Sequence, residues 1–428
     1  MVKIIGAGLA GSEAAYFLGT RGVEVELVDM KPQKFTPAHS DKNFGELVCS
    51  NSLKSDDVYG NACGLLKEEL RILSSLTMQA AEHCRVPAGG ALAVNREEFS
   101  AYITQELKKI KNIKIVCEEV EELPESGIVA TGPLTSGGLF KAMEARFGTL
   151  HFYDASAPIV TADSIDMSAA FVQDRYDNGT GDYINCPMNK GEYERFVEEL
   201  LLAEKVELHA FEKREIFEGC MPVEVMASRG KDTLRYGTFK PVGLGEKEAR
   251  PYAVLQLRKE NQEGTLLGLV GCQTNLKFGE QKRVFSLIPA LKNATFVRYG
   301  VMHRNTYLES PTVLDADFSV KGSDLYFAGQ ITGVEGYVES AMSGLLAAIH
   351  VWNKLNGKDV GIPEDTCVSG ALSRYIATPN KDFQPMNANY GILRGGYENV
   401  RDKKEKKRLL GERALEEIRR FKKTIAGQ

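Results

Sequence analysis

The 428-residue sequence contains no apolar run near the roughly 20 residues that a membrane-spanning helix needs. No basic stretch followed by an apolar run is visible near the first residue, so we expect no signal peptide and a cytoplasmic, soluble protein. None of the eight cysteines forms a CxxC pair, which disfavours a disulfide framework and a metal site. The net charge of −5 does not favour nucleic acid as a general partner, although a local basic face is compatible with it.

The first eleven residues, MVKIIGAGLAG, carry the most specific pattern. An apolar run ends at a glycine-rich turn, a helical stretch follows, and a second apolar run ends on Asp29, which is the order of a dinucleotide-binding unit. The glycines allow a tight turn, a close approach to a pyrophosphate and packing of the helix on the sheet, while the acid binds a ribose. The alternative is a glycine-rich turn without a ligand. The predicted cofactor-binding residues here are Gly6, Ala7, Gly8, Leu9, Ala10, Gly11 and Asp29.

Two later segments extend this cofactor site. The strand that ends in Ala-Thr-Gly is typical of FAD-binding doubly wound folds, and its Thr131 and Gly132 are predicted to lie beside the cofactor. A strand, a glycine turn and a long apolar helix recur from Leu325 onward. Glutathione-reductase-type flavoproteins need this second turn and simple NAD dehydrogenases do not, so it favours FAD. Its predicted cofactor-binding residues are Gly329, Gln330, Ile331 and Gly333.

The sequence predicts an α/β fold: a doubly wound, glutathione-reductase-like FAD-binding domain that carries an inserted mixed α/β domain. Residues 1–150 are predicted to form the first part of the FAD-binding domain and residues 151–322 the inserted domain. Residues 323–428 are predicted to form the second part, with a basic C-terminal helix. The leucine periodicity over residues 63–82 predicts one continuous helix.

Six segments give nearly the whole chain a resemblance to the folate- and FAD-dependent tRNA (uracil-5-)-methyltransferases, which are related to the flavoproteins that install carboxymethylaminomethyl groups on wobble uridines. The segments are GAGLAGSEAA, FGELVCSNSLKS, VPAGGALAV, EGCMPVEVMASRG, LYFAGQITGVEGYVESAMSG and ATPNKDFQPMNANYGIL. The resemblance implies methylation of C5 of uracil 54 in the tRNA T loop. It also implies 5,10-methylenetetrahydrofolate as carbon donor, reduced FAD as electron donor, and NADPH or NADH as the reductant of FAD.

The resemblance further implies roles for two cysteines, which would otherwise be expected to be small buried hydrophobes. Cys220 resembles the thiol that adds to uracil C6, and Cys49 resembles the thiol on the flavin side, although the two roles could be exchanged. A thiolate suits this addition because it is a strong nucleophile near neutral pH. Asn51, two residues beyond Cys49, is predicted to contact the cofactor. Glu224 lies near Cys220 in sequence and is expected to be a polar surface residue, the alternative being that it tunes the pKa of that thiol or contacts the nucleotide.

The target uracil must leave its stack to reach a thiol and a flavin together. Candidates for a basic rim that holds the phosphates are Arg229, Lys231, Arg235 and the tail 401–423, with ordinary solvated charge as the alternative. Tyr337 is expected either to stack on a flavin or pteridine ring or to be a core tyrosine. Two other functions stay open: the same chemistry on a ribosomal RNA uracil, or a non-catalytic FAD-containing RNA-binding factor.

Overall fold

The computed structural model describes residues 1–426 except Pro37, Ser136, 178–180, 207–220, 246–249 and Asp382. The described strands are, in chain order, β1 (Val2–Ile5), β2 (Val25–Asp29), β3 (Ser52–Ser55), β4 (Arg85–Val86), β5 (Ala91–Val94), β6 (Ile113–Cys117), β7 (Ser126–Val129), β8 (Leu150–Ala155), β9 (Ile159–Thr161), β10 (Phe171–Val172), β11 (Tyr183–Met188), β12 (Ala253–Lys259), β13 (Leu266–Leu269), β14 (Phe296–Arg298), β15 (Met302–Tyr307) and β16 (Asp324–Phe327).

The described α-helices are, in chain order, α1 (Leu9–Gly19), α2 (Ala62–Ile72), α3 (Leu76–His83), α4 (Arg96–Lys109), α5 (Gly137–Phe147), α6 (Lys190–Leu202), α7 (Val223–Ser228), α8 (Thr233–Tyr236), α9 (Phe278–Phe285), α10 (Ser310–Val313), α11 (Tyr337–Leu355), α12 (Val368–Tyr375) and α13 (Lys403–Ala426). Within the described ranges, no helix combines the length and the apolar character that crossing a bilayer requires.

A five-stranded parallel sheet with the order β16-β7-β1-β2-β6 unites distant parts of the chain. Its strands are apolar runs because a parallel sheet is covered on both faces. Ile4, Leu27, Ile128 and Phe327 are all fully buried in the core beneath the helices. The α/β class with a parallel sheet, predicted from the sequence, is therefore confirmed.

A second, six-stranded sheet has the order β10-β11-β12-β13-β9-β14, and each of its pairings is antiparallel. It has its own apolar core, in which Phe196, Phe239 and Phe285 lie fully buried. The chain enters this region along β8 and leaves it along β15, and these two strands pair with each other. The sheet thus lies between two parts of the parallel-sheet fold, while the exact boundaries at residues 150 and 322 stay a prediction.

The prediction of one continuous helix over residues 63–82 is wrong, because this stretch forms two helices, α2 and α3. Ser74 adopts a left-handed conformation with φ of 65°. The Ser75 side chain then accepts the N–H of Met78 and caps the new helix. The buried Glu13 carboxylate accepts the N–H groups of Leu76 and Thr77. The leucine spacing continues through this break, so periodicity alone hides it.

A third, small sheet of β3, β5 and β4 lies next to these elements. It begins directly after Asn51, so it fixes one end of the segment that carries Cys49. Lys67, on α2, is fully buried and donates to the carbonyl oxygens of Leu53 and Ser55, at 2.8 and 2.7 Å. Burial lowers the pKa of Lys67 to about 8. The Lys67 side chain therefore ties strand β3 to helix α2.

Candidate functional site

The N-terminal glycine turn has the geometry of a phosphate cradle. Gly6 has φ of 96°, and a Cβ there would lie 2.5 Å from the Ala130 carbonyl oxygen. A Cβ at Gly11 would lie 1.8 Å from the carbonyl oxygen of Gly6. A Cβ at Gly8 would meet nothing within 4 Å, and no side chain caps the N-terminus of α1 there. Gly6 and Gly11 are thus needed for the fold. Gly8 instead leaves free space at a helix N-terminus, where a pyrophosphate binds well.

Asp29 closes the same site from the end of β2. Its carboxylate accepts the N–H of Ala7 at 2.6 Å and the N–H of Lys31 at 2.8 Å, so it ties the glycine turn to the second strand. A depression lies beside it, lined among others by Gly8, Asp29, Thr131 and Glu46. A depression with carboxylates at a helix N-terminus suits the hydroxyls of a nucleotide ribose. The predicted residues Gly6, Gly8, Asp29 and Thr131 share this depression.

The second glycine turn meets the first. Gly329 has φ of 87°, its N–H donates to the Ser343 hydroxyl at 2.7 Å, and a Cβ on it would lie 3.3 Å from the Cβ of Ala10. Gln330 donates to Glu335 at 2.8 Å, and Ile331 is fully buried. The two predicted glycine turns are therefore neighbours although they come from distant parts of the sequence.

Three further predicted cofactor-binding residues, Gly132, Gly333 and Asn51, differ in how much room they leave for a ligand. Gly132 and Gly333 both have positive φ, 70° and 83°, but only Gly132 has free space where a Cβ would lie, since Phe383 would obstruct one at Gly333. Asn51 is fully buried, and its amide donates to the carbonyl oxygens of Val94 and Lys259. The polar atoms of Asn51 serve the protein itself, so its contact with a cofactor stays a prediction.

Cys49 lies on a segment that joins both glycine turns. The N–H of Gly45 donates to the Ala7 carbonyl oxygen at 2.9 Å, which anchors this segment to the first turn. The N–H groups of Cys49 and Ser50 donate to the Tyr337 hydroxyl at 2.7 and 3.1 Å. Tyr337 is the first residue of α11, just after the second turn, and burial raises its pKa well above the usual range. Tyr337 is thus a neutral hydroxyl that holds the half-buried Cys49 beside the glycine turns.

Three arginines around Cys49 were not predicted from the sequence. Arg96 begins α4, whereas Arg258 and Arg298 belong to the antiparallel sheet. Their guanidinium groups donate to backbone or side-chain oxygens of residues 47–51. No local sequence signal marks them, because each reaches the segment across a long stretch of chain.

Cys220 lies outside the described residues, so its predicted role stays a prediction. Nearby, the expectation that Glu224 is a surface residue is wrong, since it is only 1% exposed. Its carboxylate accepts the Thr274 hydroxyl at 2.9 Å and the Asn275 N–H at 2.8 Å, and burial raises its pKa. These bonds fasten α7, which follows Cys220 in sequence, to the loop between β13 and α9. Among the cysteines in the described part of the chain, Cys49 and Cys117 are half-buried, and the others are buried: Cys63, Cys84, Cys186, Cys272 and Cys367.

The candidate basic rim is exposed at two of its three positions near Cys220 in sequence, whereas Arg235 is half-buried. Arg229 and Lys231 are exposed, and the Arg235 guanidinium lies 4.1 Å from the ring centroid of Tyr252. Beside it, Tyr236 is 73% exposed. The basic tail forms helix α13, which packs on α2. Most of the lysines and arginines of that helix face solvent. Both candidate surfaces thus offer cations to an anionic partner.

Comparisons with known proteins agree with this architecture. The model of the family described as glucose inhibited division protein A matches residues 1–359. The methylenetetrahydrofolate–tRNA-(uracil-5-)-methyltransferase TrmFO of Acetivibrio thermocellus is 55% identical over 430 residues, which cover 98% of each chain. The protein of the same name from Bacillus subtilis is 52% identical over 432 residues, which cover 99% of each chain.

Among solved structures, GidA of Aquifex aeolicus in its form II crystal superposes with a TM-score of 0.73. The superposition covers 99% of this chain and 73% of that chain at 16% identity, so the likeness concerns the fold alone. The family model, by contrast, matches well over half of this chain, and the relatives above match nearly all of it. The chain therefore belongs to the glucose inhibited division protein A family, and within it to the folate- and FAD-dependent tRNA (uracil-5-)-methyltransferases.

Proposed function

We propose that this chain methylates C5 of uracil 54 in the T loop of tRNA, in the cytoplasm, with 5,10-methylenetetrahydrofolate as carbon donor and reduced FAD as electron donor. The relatives that are 52–55% identical are named for the transfer of this carbon unit to a tRNA uracil. The observation that carries the proposal is the position of Cys49. Its segment is hydrogen-bonded to the first glycine turn through Gly45 and to α11 through Tyr337.

The residues around the glycine turns fit FAD. The free N-terminus of α1, the open space at Gly8 and the carboxylate of Asp29 would hold its pyrophosphate and ribose. Thr131, Gly132 and the turn at Gly329 would border the rest of the molecule. When bound and reduced, FAD supplies the two electrons that convert a methylene group to a methyl group. We propose NADPH or NADH as its reductant.

The chain's own contribution to the reaction is nucleophilic. The Cys220 thiolate forms a bond to uracil C6, and the electron pair of the C5–C6 double bond makes C5 nucleophilic toward the carbon unit. After C5 has bonded to the methylene carbon, loss of the C5 proton breaks the bond between that carbon and its donor nitrogen. Two electrons and a proton delivered to the methylene carbon then expel the Cys220 thiolate, restore the C5–C6 double bond and leave a methyl group. We assign Cys49 to the flavin side, where the hydrogen bonds of the Cys49 and Ser50 amides to Tyr337 fix its backbone.

We propose that tRNA is held by cations at the surface of the inserted region and of α13. Arg229, Lys231 and Arg235 closely follow Cys220 in sequence, so phosphates bound by them would bring a flipped-out uracil toward that thiol. Because each phosphate contact releases counterions, binding should weaken steeply between 50 and 200 mM salt, by about 1,000-fold for six contacts. An affinity that hardly changes with salt would contradict this surface.

The deciding experiment combines the purified protein, methylenetetrahydrofolate, NADPH and an unmodified tRNA transcript. We expect 5-methyluridine at position 54, and we expect a transcript with cytidine at that position to remain unmodified. Methylation of a ribosomal RNA fragment in place of tRNA would favour the alternative substrate. RNA binding without methyl transfer, in protein shown to contain FAD, would favour the non-catalytic alternative.

A further inference from the structure

The segment that carries Cys49 has no regular secondary structure between Leu47 and Asn51. Backbone polar groups in a partly buried segment need hydrogen-bond partners, and an irregular segment cannot obtain them from a helix or a sheet ladder. Here side chains supply them. Tyr337 accepts two N–H groups from one side, as described above. The carbonyl oxygens of Leu47 and Val48 need hydrogen-bond donors.

Those donors are guanidinium groups. Arg298 donates to the Val48 carbonyl oxygen at 2.9 Å. Arg96 donates to the carbonyl oxygens of Leu47 and Val48 at 3.2 and 3.4 Å. Charged donors make stronger hydrogen bonds than neutral ones, and a guanidinium group has a fixed fork geometry. The backbone of the two residues that precede Cys49 is therefore hydrogen-bonded to two cations from different parts of the fold.

The residues that follow Cys49 are held by a third cation. Arg258 donates to the Ser50 hydroxyl at 2.8 Å and to the Asn51 side-chain oxygen at 3.1 Å. Asn51 in turn donates to the Lys259 carbonyl oxygen at 3.0 Å, so strand β12 and the segment share three hydrogen bonds. Cys49 itself thus lies between two points that are fixed by the antiparallel sheet, Val48 and Ser50.

Glu260 links two of these cations, Arg96 and Arg258. Its carboxylate lies 3.0 Å from Arg96 and 3.8 Å from Arg258, and its side chain is only 6% exposed. Burial, together with the Arg96 charge, lowers the pKa of Arg298. A buried ionic group of this kind costs desolvation and is often no better for stability than apolar packing. Its presence around one irregular segment therefore points to a role in fixing geometry.

We propose that Arg258 and Arg298 are positioning residues that hold the thiol of Cys49 in its working place, and that Glu260 supports them through its ion pairs with Arg258 and Arg96. This inference rests on the proposed function of Cys49. It means that the antiparallel sheet does more than carry Cys220, because it also orders the thiol on the flavin side. The thiol then reaches its place only when the antiparallel sheet is seated against the segment.

The test uses the full-length, FAD-loaded protein with Arg298→Met, Arg298→Lys and Glu260→Gln. Arg283→Met serves as the matched control, since Arg283 on α9 pairs with Glu199 and Glu280 in the same region and makes no hydrogen bond to residues 47–51. Hydrogen–deuterium exchange of the peptide with Cys49 measures the order of the segment. Steady-state kinetics separate kcat from KM.

For Arg298→Met we expect at least tenfold faster exchange in that peptide alone, a kcat at least tenfold lower and a tRNA KM within twofold. Arg298→Lys should recover part of both, because an ammonium group can still donate to Val48. Glu260→Gln, which keeps the side-chain shape, should show the same pattern more weakly and serves if Arg298→Met does not fold. Arg283→Met should change neither quantity.

Unchanged exchange in Arg298→Met and Glu260→Gln would overturn the inference, and so would faster exchange with unchanged kcat. A separate result concerns the proposed function. If Cys49→Ala keeps full activity, the role of Cys49 fails, while the exchange data still report whether the arginines order the segment. The two failures are therefore distinguishable.

Discussion

Gly344 and Ala10 bring two helices into backbone contact: a Cβ at Gly344 would lie 2.1 Å from the Ala10 carbonyl oxygen. This contact joins α11 to α1, which carry the two glycine turns at their N-termini. Because Gly344 has no side chain, the two helices can approach closely enough to bring the two glycine turns together. The same helices also pack through Phe17 and Trp352, whose rings meet edge to face at 6.3 Å.

Gly344→Ala should therefore destabilise the protein and lower its FAD content together. The new methyl group meets backbone atoms, which cannot rotate away, so we expect the free energy of unfolding to fall by about 1–3 kcal/mol. Denaturant unfolding and the flavin absorbance of the purified variant measure the two effects. Gly279→Ala on α9 is the control, since its Cβ would meet nothing within 4 Å. Equal stability of both variants would contradict the prediction.

Gly8→Ala should separate cofactor binding from folding. The added methyl group enters open space at the N-terminus of α1, so the apo protein should unfold at the same denaturant concentration as the unchanged chain. Steric conflict with a pyrophosphate should weaken FAD binding by roughly tenfold, about 1.4 kcal/mol. Gly11→Ala provides the contrast, since its Cβ would lie 1.8 Å from a backbone oxygen and should impair folding itself. Fluorescence titration with FAD checks the prediction, and undiminished affinity in Gly8→Ala would refute the cradle.

Cys49→Ala and Cys220→Ala should each lower methyl transfer by roughly 100-fold or more, as expected when a reacting group is lost. Both variants should still purify yellow: Cys49 is not among the described residues that line the depression beside Asp29, and the role proposed for Cys220 is on the uracil. Formation of 5-methyluridine is the measurement. Cys117→Ala is the control, because Cys117 is also a half-buried thiol but ends strand β6. Full activity in Cys220→Ala would remove it from the reaction.

Glu69 should make stability depend on pH. It is fully buried, and it accepts the N–H groups of Val368 and Ser369 at 2.7 and 2.8 Å. Burial raises the pKa of Glu69 from 4.5 to about 7. Between these values the folded protein holds a proton that the unfolded chain has released, so stability falls as the pH rises from about 4.5 to 7.

Urea unfolding between pH 5 and 7.5 measures this dependence. Glu69→Gln cannot titrate, so the decline of its unfolding free energy with pH should be shallower than that of the unchanged protein. Glu82→Gln is the control, because Glu82 is a surface carboxylate in ion pairs with Arg71 and Arg85. An identical slope for Glu69→Gln and the unchanged chain would show that Glu69 titrates alike in both states.

The sequence predicted those parts of the site whose physical requirement is local. Gly6 and Gly11 are five residues apart, and the backbone that they permit is formed within one turn and one helix. The contact of Arg258 with Ser50 spans 208 residues, so no pattern in either neighbourhood announces it. Glu224 shows the same limit, since its burial depends on Thr274 and Asn275 in another element. A backbone conformation that depends on neighbouring residues can be predicted from the sequence, whereas side-chain partners that are far apart in sequence are identified only in the folded structure.

The pairing of β7 with β16 also has a consequence for synthesis on the ribosome. Strand β16 emerges only after the whole antiparallel region has been translated, so the edge of β7 waits unpaired during that time. Parallel pairing between distant segments is slow, and an open apolar edge invites association with other chains. The nascent chain therefore passes through a stage in which one apolar edge of β7 is open to association with other chains, and the second glycine turn can join the first only once Gly329 has left the ribosome.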